Sequence, residues 1–243
     1  MVVYVPDKTG RFARRPHYEP KELDRECEGI VGTYLKEKYG KAEFPISTED
    51  LTVIIEREVE TLDQYADLTG FGPKVEGITY FQPGRRPRVA ISQNLSLDDN
   101  RATRLRTTLA HEYGHVHFHA YLWESEPPGP DLLKSNPRAS MQVCYRDTML
   151  DAAMSDWMEW QAGYVCGAIL MPASRLRRLA GEFLEEKQHF GAMAPDDSRV
   201  PELIERVRGR FDVSGDAARI RLLKLGVLGA VSNGPSLFDS RSQ

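Results

Sequence analysis

Cysteine is scarce in this chain. Cys27, Cys144 and Cys166 are the only three in 243 residues, too few, too widely spaced and odd in number for a disulfide framework or a paired-cysteine zinc knuckle. A disulfide-stapled secreted domain is thereby excluded, and a reducing compartment is expected. Long apolar runs are also lacking: nothing approaches the roughly 18 residues of a membrane span, and Met1 to Lys8 carry no long apolar region of the kind that directs secretion. The expectation is a cytoplasmic protein with no membrane partner. Nor is there an excess of positive charge. With 32 Lys and Arg against 36 Asp and Glu the net charge is −4, so nucleic-acid binding is not expected. Internal repeats are absent too. What remains, 41% hydrophobic residues, is enough to bury a core as one large domain or as a catalytic unit with a small appendage.

Residues 1–19 hold Arg11, Arg14, Arg15 and Pro16 with little apolar periodicity, and read as a flexible basic arm. From Lys21 to Tyr39 the pattern is helical: Leu23, Cys27, Ile30, Val31, Tyr34 and Leu35 share a face, and Gly40 supplies a stop. Ser47 caps a second helix to about Glu58, with Leu51, Ile54 and Ile55 inward. The texture then changes. Gly77 to Phe81 and Arg88 to Ser92 flank a Pro83-Gly84 turn, which predicts a hairpin, and a small sheet of this kind can hold an extended peptide at its edge. Asp98, Asp99 and Asn100 can cap the helix that follows. Residues 124–140, rich in proline and glycine, read as an exposed loop. Further helices are expected from a Ser155-Asp156 cap to Leu170, over 173–187, over 200–211, and from Ser214 to Leu225 before Gly226. The division that follows is a catalytic unit over 20–190, a C-terminal helical segment of helix-turn-helix character over 191–228, and a disordered tail over 229–243.

The chemistry concentrates in His111-Glu112-Tyr113-Gly114-His115. On a helix, His111 and His115 lie one turn apart on one face, close enough to bind a single metal ion, and Glu112 sits beside them. Neutral imidazoles are good zinc ligands, and three protein ligands leave a position open for water, whose proton Glu112 could accept. Leu105 and Leu109 supply an apolar stripe that lets the histidine face line a cleft. Gly114, a poor helix former, suggests that a substrate or a strand approaches the backbone there. The plainer alternative is a surface helix that happens to carry histidines. For a third ligand the stretch Asp156 to Gly167 offers Glu159, with Gly163 and Gly167 following at four-residue spacing. On spacing alone, Glu159 is equally well an exposed charge above packing glycines.

The stretch Arg104-Leu-Arg106-Thr-Thr-Leu-Ala-His111-Glu112-Tyr-Gly-His115 resembles the R-x-R-F-T-L-A-H-E-x-G-H motif of the ImmA/IrrE family of zinc metallopeptidases. Glu159 to Pro172 is similar to that family's E-x-x-A-N/D-x-F-A-x-x-L-L-M-P, and the likeness runs from about residue 20 to 226. The resemblance implies an α+β, zincin-like and mostly helical catalytic domain with a small antiparallel sheet beside the motif helix. It implies zinc on His111, His115 and Glu159, Glu112 as general base, and an endopeptidase whose substrate is a helix-turn-helix repressor. Two departures stand out: Gly163 replaces an Asn or Asp that could orient a ligand histidine, and Thr107 replaces an aromatic residue. The stretch 120–158 is also longer than in compact members. Tyr113, Tyr164 and His119 are the candidates for steadying an oxyanion, and Asp151 or Asp156 would be next in line as ligand should Glu159 not serve. His119 is expected to be merely packed or solvent-bonded, and Cys144 to be a structural free thiol. The alternative function is a non-proteolytic metal-binding regulator or antitoxin-like protein that grips a repressor or toxin. A third possibility makes Arg206, Arg208, Arg210, Arg219, Arg221 and Lys224 a DNA-binding face, against which solvated arginines on packed helices are the expectation.

Overall fold

The computed structural model describes residues 3–125, 141–145, 149–150, 152–153 and 156–229. Helix α1, Pro20–Tyr39, starts with a proline in its first turn and a reciprocal Glu19/Glu22 capping box, and ends at Gly40 with φ 74°, a left-handed turn that glycine adopts without strain. Helix α2, Thr48–Glu56, is capped by the Ser47 hydroxyl, which accepts from the Asp50 N–H. Both agree with the periodicity of the sequence.

The fold is mixed, helices with two small sheets. The hairpin predicted around Gly84, whose φ is 73°, is formed by β4, Val75–Tyr80, and β5, Arg88–Ser92, in antiparallel register. Two strands flank it that the sequence pattern did not disclose. Strand β3, Thr61–Ala66, runs parallel to β5, and β6, Met141–Tyr145, runs antiparallel to β4, giving the order β3-β5-β4-β6. Strand β3 lies at an edge and alternates exposed and half-buried positions, so it carries no apolar run to mark it. Consequently β4 is an interior strand, and the edge nearest the motif helix belongs to β6.

The remaining α-helices among the described residues are α3 (Gln93–Ser96), α4 (Ala102–His119), α5 (Leu122–Ser125), α6 (Trp157–Leu170), α7 (Ala173–Glu186), α8 (Val200–Phe211) and α9 (Gly215–Lys224). Asp98 caps a short 3-10 turn, Asp99–Arg101, that leads into α4. The single apolar stripe expected of α4 is replaced by burial on almost every side from Arg106 onward. The helix is the centre of the molecule, between α2 and the sheet on one side and α6 on the other. A Cβ on Gly114 would lie 2.9 Å from the Cα of Ala162, so the neighbour that approaches Gly114 is helix α6, neither a substrate nor a strand.

Two further readings are corrected. Residues 1–19 are not a loose arm where they are described: β1, Val3–Pro6, pairs with β2, Arg14–His17. Between them Phe12 is buried, edge-on to Trp123 at 4.9 Å and to Trp157 at 6.4 Å. One aromatic anchor does what periodicity would otherwise signal. The boundary near residue 190 is not a break in the core, since Leu203, Val207, Phe211 and Leu222 belong to the same apolar cluster as Leu23, Leu109 and Val165. The arginines beyond it pair within the chain, Arg206 and Arg208 on the exposed surface as expected and Arg221 buried. Buried Arg221 donates to Asp24 Oδ1 at 2.5 Å and to the Met171 carbonyl at 3.2 Å, and Arg206 pairs with Glu186 and Glu202. Arg208 pairs with Glu205, while Arg210, Arg219 and Lys224 donate to the carbonyls of Phe44, Pro195 and Leu150. Residues 126–140 and 230–243, read as loop and tail, lie outside the described residues. Among the described residues no helix is long and apolar enough to cross a membrane.

Candidate metal centre

Helix α4 places His111 and His115 one turn apart, and both side chains are fully buried. Their Nε2 atoms are 3.2 Å apart. Glu159 enters from the first turn of α6, which is capped by Asp156; its Oε2 lies 3.1 Å from His111 Nε2 and its Oε1 3.2 Å from His115 Nε2. Reading Glu159 as an exposed charge is therefore wrong: it is 7% exposed. The three form a group whose ligand atoms all lie within 4.8 Å of one another. What brings α6 this close is Gly114 facing Ala162. The glycine stripe on α6 serves other neighbours, because a Cβ on Gly163 would meet the Met149 carbonyl oxygen at 2.6 Å and one on Gly167 would meet the Arg221 side chain at 3.2 Å.

The outer hydrogen bonds decide which ring nitrogen of each histidine faces inward. His111 Nδ1 lies 3.1 Å from the Met149 carbonyl, which can only accept, so Nδ1 carries the hydrogen. For His115 the chain of bonds is longer. The Gln161 amide nitrogen donates to the Pro16 carbonyl at 3.2 Å, which turns Gln161 Oε1 toward His119 Nε2 at 2.9 Å. His119 therefore donates from Nε2 and accepts at Nδ1, and His115 Nδ1, 3.1 Å away, donates to it. Burial and the adjacent His115 hold the His119 pKa well below its usual value, so it stays neutral and able to accept. In its neutral form each ligand candidate thus has its lone pair at Nε2. Two lone pairs and a carboxylate converge on one buried point, an arrangement that a cation relieves.

Glu159 is held from its other side by the Gln142 amide at 2.8 Å, and Gln142 accepts in turn from Arg11. Burial pushes the Glu159 pKa up, but His115 and His111 outweigh it and hold the carboxyl well below its usual range. Burial likewise pushes His111 down, while the hydrogen bond to Glu159 more than reverses it and the net shift is upward. Glu112 points elsewhere. It lies over Gly77 of β4, where a Cβ would collide with its carboxylate, and Thr79 donates to its Oε2 at 2.6 Å. Its Oε1 is buried and has no hydrogen-bond partner among the described residues. Burial raises the Glu112 pKa against the pull of His115 and His111.

The proposed oxyanion donors do not face this point. The Tyr113 hydroxyl donates to Glu58 at 2.7 Å and the Tyr164 hydroxyl to Asp24 at 3.0 Å, while His119 stands behind His115. Asp156 is spent on capping α6, and Asp151 lies outside the described residues. Arg11, Gln142, Met149 and Gln161 were not singled out from sequence; each acts through a long-range contact, and no local pattern marks such a residue. Nor is the histidine face a cleft, since His111, Glu112 and His115 have no exposed surface. No protein-family model matches the chain, and no curated protein matches it. The residues present fit a metal ion: two imidazoles, one carboxylate, and oriented outer partners for all three.

Proposed function

We propose that this chain is a zinc-dependent endopeptidase of the ImmA/IrrE type with a zincin-like catalytic unit, acting in the cytoplasm on a helix-turn-helix repressor. The observation that carries the reading is the convergence of His111 Nε2, His115 Nε2 and the Glu159 carboxylate at one buried point, with Glu112 beside it keeping one oxygen unpaired. The resemblance around residues 104–115 and 159–172 supplies the substrate class. Zinc held by His111, His115 and Glu159 would contribute Lewis acidity toward a peptide carbonyl and a nearby water.

The protein's own groups account for the proton's path. Thr79 fixes Glu112 Oε2 and leaves Oε1 available for proton transfer. Glu112 takes the proton of the attacking water at Oε1 and passes it to the leaving amine, as hydroxyl adds to the carbonyl carbon and the C–N bond breaks. Its raised pKa suits it to hold a proton between those steps. Among the described residues β6 is the sheet edge next to the site, where an extended peptide would add by main-chain hydrogen bonds.

Burial of the whole site favours a second reading, a non-proteolytic metal-binding regulator or antitoxin-like protein, because cleavage requires the covering residues to move aside. Two variants separate the readings when metal content and cleavage of candidate repressors are followed together by elemental analysis and mass spectrometry. Glu112→Gln should keep zinc near wild type and lower turnover by roughly a hundredfold or more. Glu159→Gln should lose zinc and activity together. Cleavage that persists in a strong chelator rules out the metallopeptidase, and zinc binding without cleavage of any repressor selects the regulator.

A further inference from the structure

Cys144 has no part in the reaction outlined above, yet β6 delivers it to the same place. It stands opposite Gly77 in the β4–β6 register, and its thiol is free and fully buried. Its Sγ, one nitrogen of His111 and one carboxylate oxygen of Glu112 lie within 4.8 Å of one another. The hydrogen bonds say which atoms remain for a ligand. His111 Nδ1 is engaged with Met149, which leaves Nε2, and Glu112 Oε2 is engaged with Thr79, which leaves the unpartnered Oε1. An imidazole lone pair, a carboxylate oxygen and a thiol that converge at a buried position form a donor set suited to a soft or borderline divalent ion.

We propose that His111, Glu112 and Cys144 form a second cation position, alternative to the first because both need His111 Nε2. It rests on the metal-centre reading through that shared histidine. The thiol makes it selective for soft ions, such as cadmium or zinc in excess, over harder ones. On binding, the S–H bond breaks as the sulfur–metal bond forms and the proton leaves to solvent, with no change of oxidation state. An ion bound this way removes Glu112 from proton transfer and His111 from the first position. Soft-metal loading therefore switches the first site off.

The test is titration of the metal-free full chain with cadmium and with cobalt, followed by thiolate-to-metal charge-transfer absorption and by elemental analysis. The band is expected in wild type and in Glu159→Gln, which disables only the first position. It should vanish in Cys144→Ser and in Cys144→Ala, which retain one zinc at His111, His115 and Glu159; thermal melting shows which of the two is folded, and Cys27 and Cys166 stay in both as internal controls. Glu112→Gln should weaken the band-forming affinity by about tenfold or more, the scale of losing a supporting group at a metal site. A band missing from wild type and Glu159→Gln at every loading, or one that survives both Cys144 substitutions, overturns the proposal. In the first case, zinc still bound by wild type leaves the metal-centre reading standing; no metal bound in any form removes both.

Discussion

A Cβ on residue 163 would sit 2.6 Å from the Met149 carbonyl oxygen, the oxygen that accepts from His111 Nδ1. Gly163 and Met149 are thus one device: the side chain that the family resemblance leads one to expect at 163 is missing, and a backbone carbonyl stands in the space. Gly163→Ala should push that carbonyl away and weaken metal binding by about 10- to 100-fold, the usual scale for an outer hydrogen bond to a ligand histidine. Competition against a chelating dye measures it, and an unchanged affinity would show that Met149 does not orient the ring. Gly163→Asn is expected to do no better, because its amide must take the place the carbonyl holds. The departure at 163 was legible in the sequence. Its compensation was not, because Met149 lies far from His111 along the chain and no periodicity links them. His111, Glu112 and His115 were legible because a helix turns a spacing of four into a shared face, whereas the contact that brings Glu159 to them depends on Gly114 meeting Ala162 across two helices.

Among the elements, the amphipathic helices and the β4–β5 hairpin could be read locally, since burial on one face imposes a period. Strand β6 could not, since it follows a proline-rich stretch and its pairing with β4 is non-local. The N-terminal hairpin escaped for a similar reason, and its contacts reach the site by two routes. Pro16 orders the Gln161–His119–His115 chain, and Arg11 orders Gln142 and through it Glu159. Removing residues 1–17 should therefore lower metal affinity as well as stability, whereas a flexible arm would affect neither; calorimetric zinc titration of the shortened chain decides between them. A separate prediction belongs to the α1–α2 corner. Burial pushes the Asp50 pKa up, but hydrogen bonds from Lys38, Tyr34, Ser47 and Tyr39 outweigh it, and the net shift is below 3.8. A carboxyl depressed in the folded state contributes stability that is present above its unfolded pKa and is lost as pH falls through the folded value. Asp50→Asn should cost about 2 kcal/mol near neutrality, the scale of hydrogen bonds to a charged group. In urea titrations at a series of pH values, the gap between Asp50→Asn and wild type should close in strong acid. A gap that stays constant there would mean that the charge is not what these donors hold.

For the molecule as a whole, a metal bound at the buried site would tie metal, protons and folding together. Without a cation, the His111 pKa is raised by its bond to Glu159 although burial opposes it, and Glu159 is held low although burial opposes that as well. The two then form a proton-bridged pair, so a proton on His111 does part of the work of the metal. The signs follow from linkage. A histidine whose folded pKa is raised adds stability that is fully present below the unfolded pKa and is lost as pH rises through the folded one. The metal-free protein should therefore lose this contribution as pH rises past His111's titration. Zinc requires the deprotonated rings and stabilises only the folded chain, by about 2.7 kcal/mol when free zinc is a hundred times Kd. Its contribution is largest where that of the proton is gone, and it declines as protons compete near and below the unperturbed histidine pKa of about 6.5. Thermal melts with and without zinc, taken between about pH 5 and about pH 8, should show a difference in Tm that is widest at the alkaline end and shrinks toward the acid end, where protons displace zinc and take over part of its stabilisation. At zinc levels that fill only the first position, Glu159→Gln should show little difference at any pH, since it lacks both the third ligand and the partner that raises His111. A wild-type difference independent of pH would mean that zinc binds away from these histidines, and the centre built on α4 and α6 would have to be abandoned.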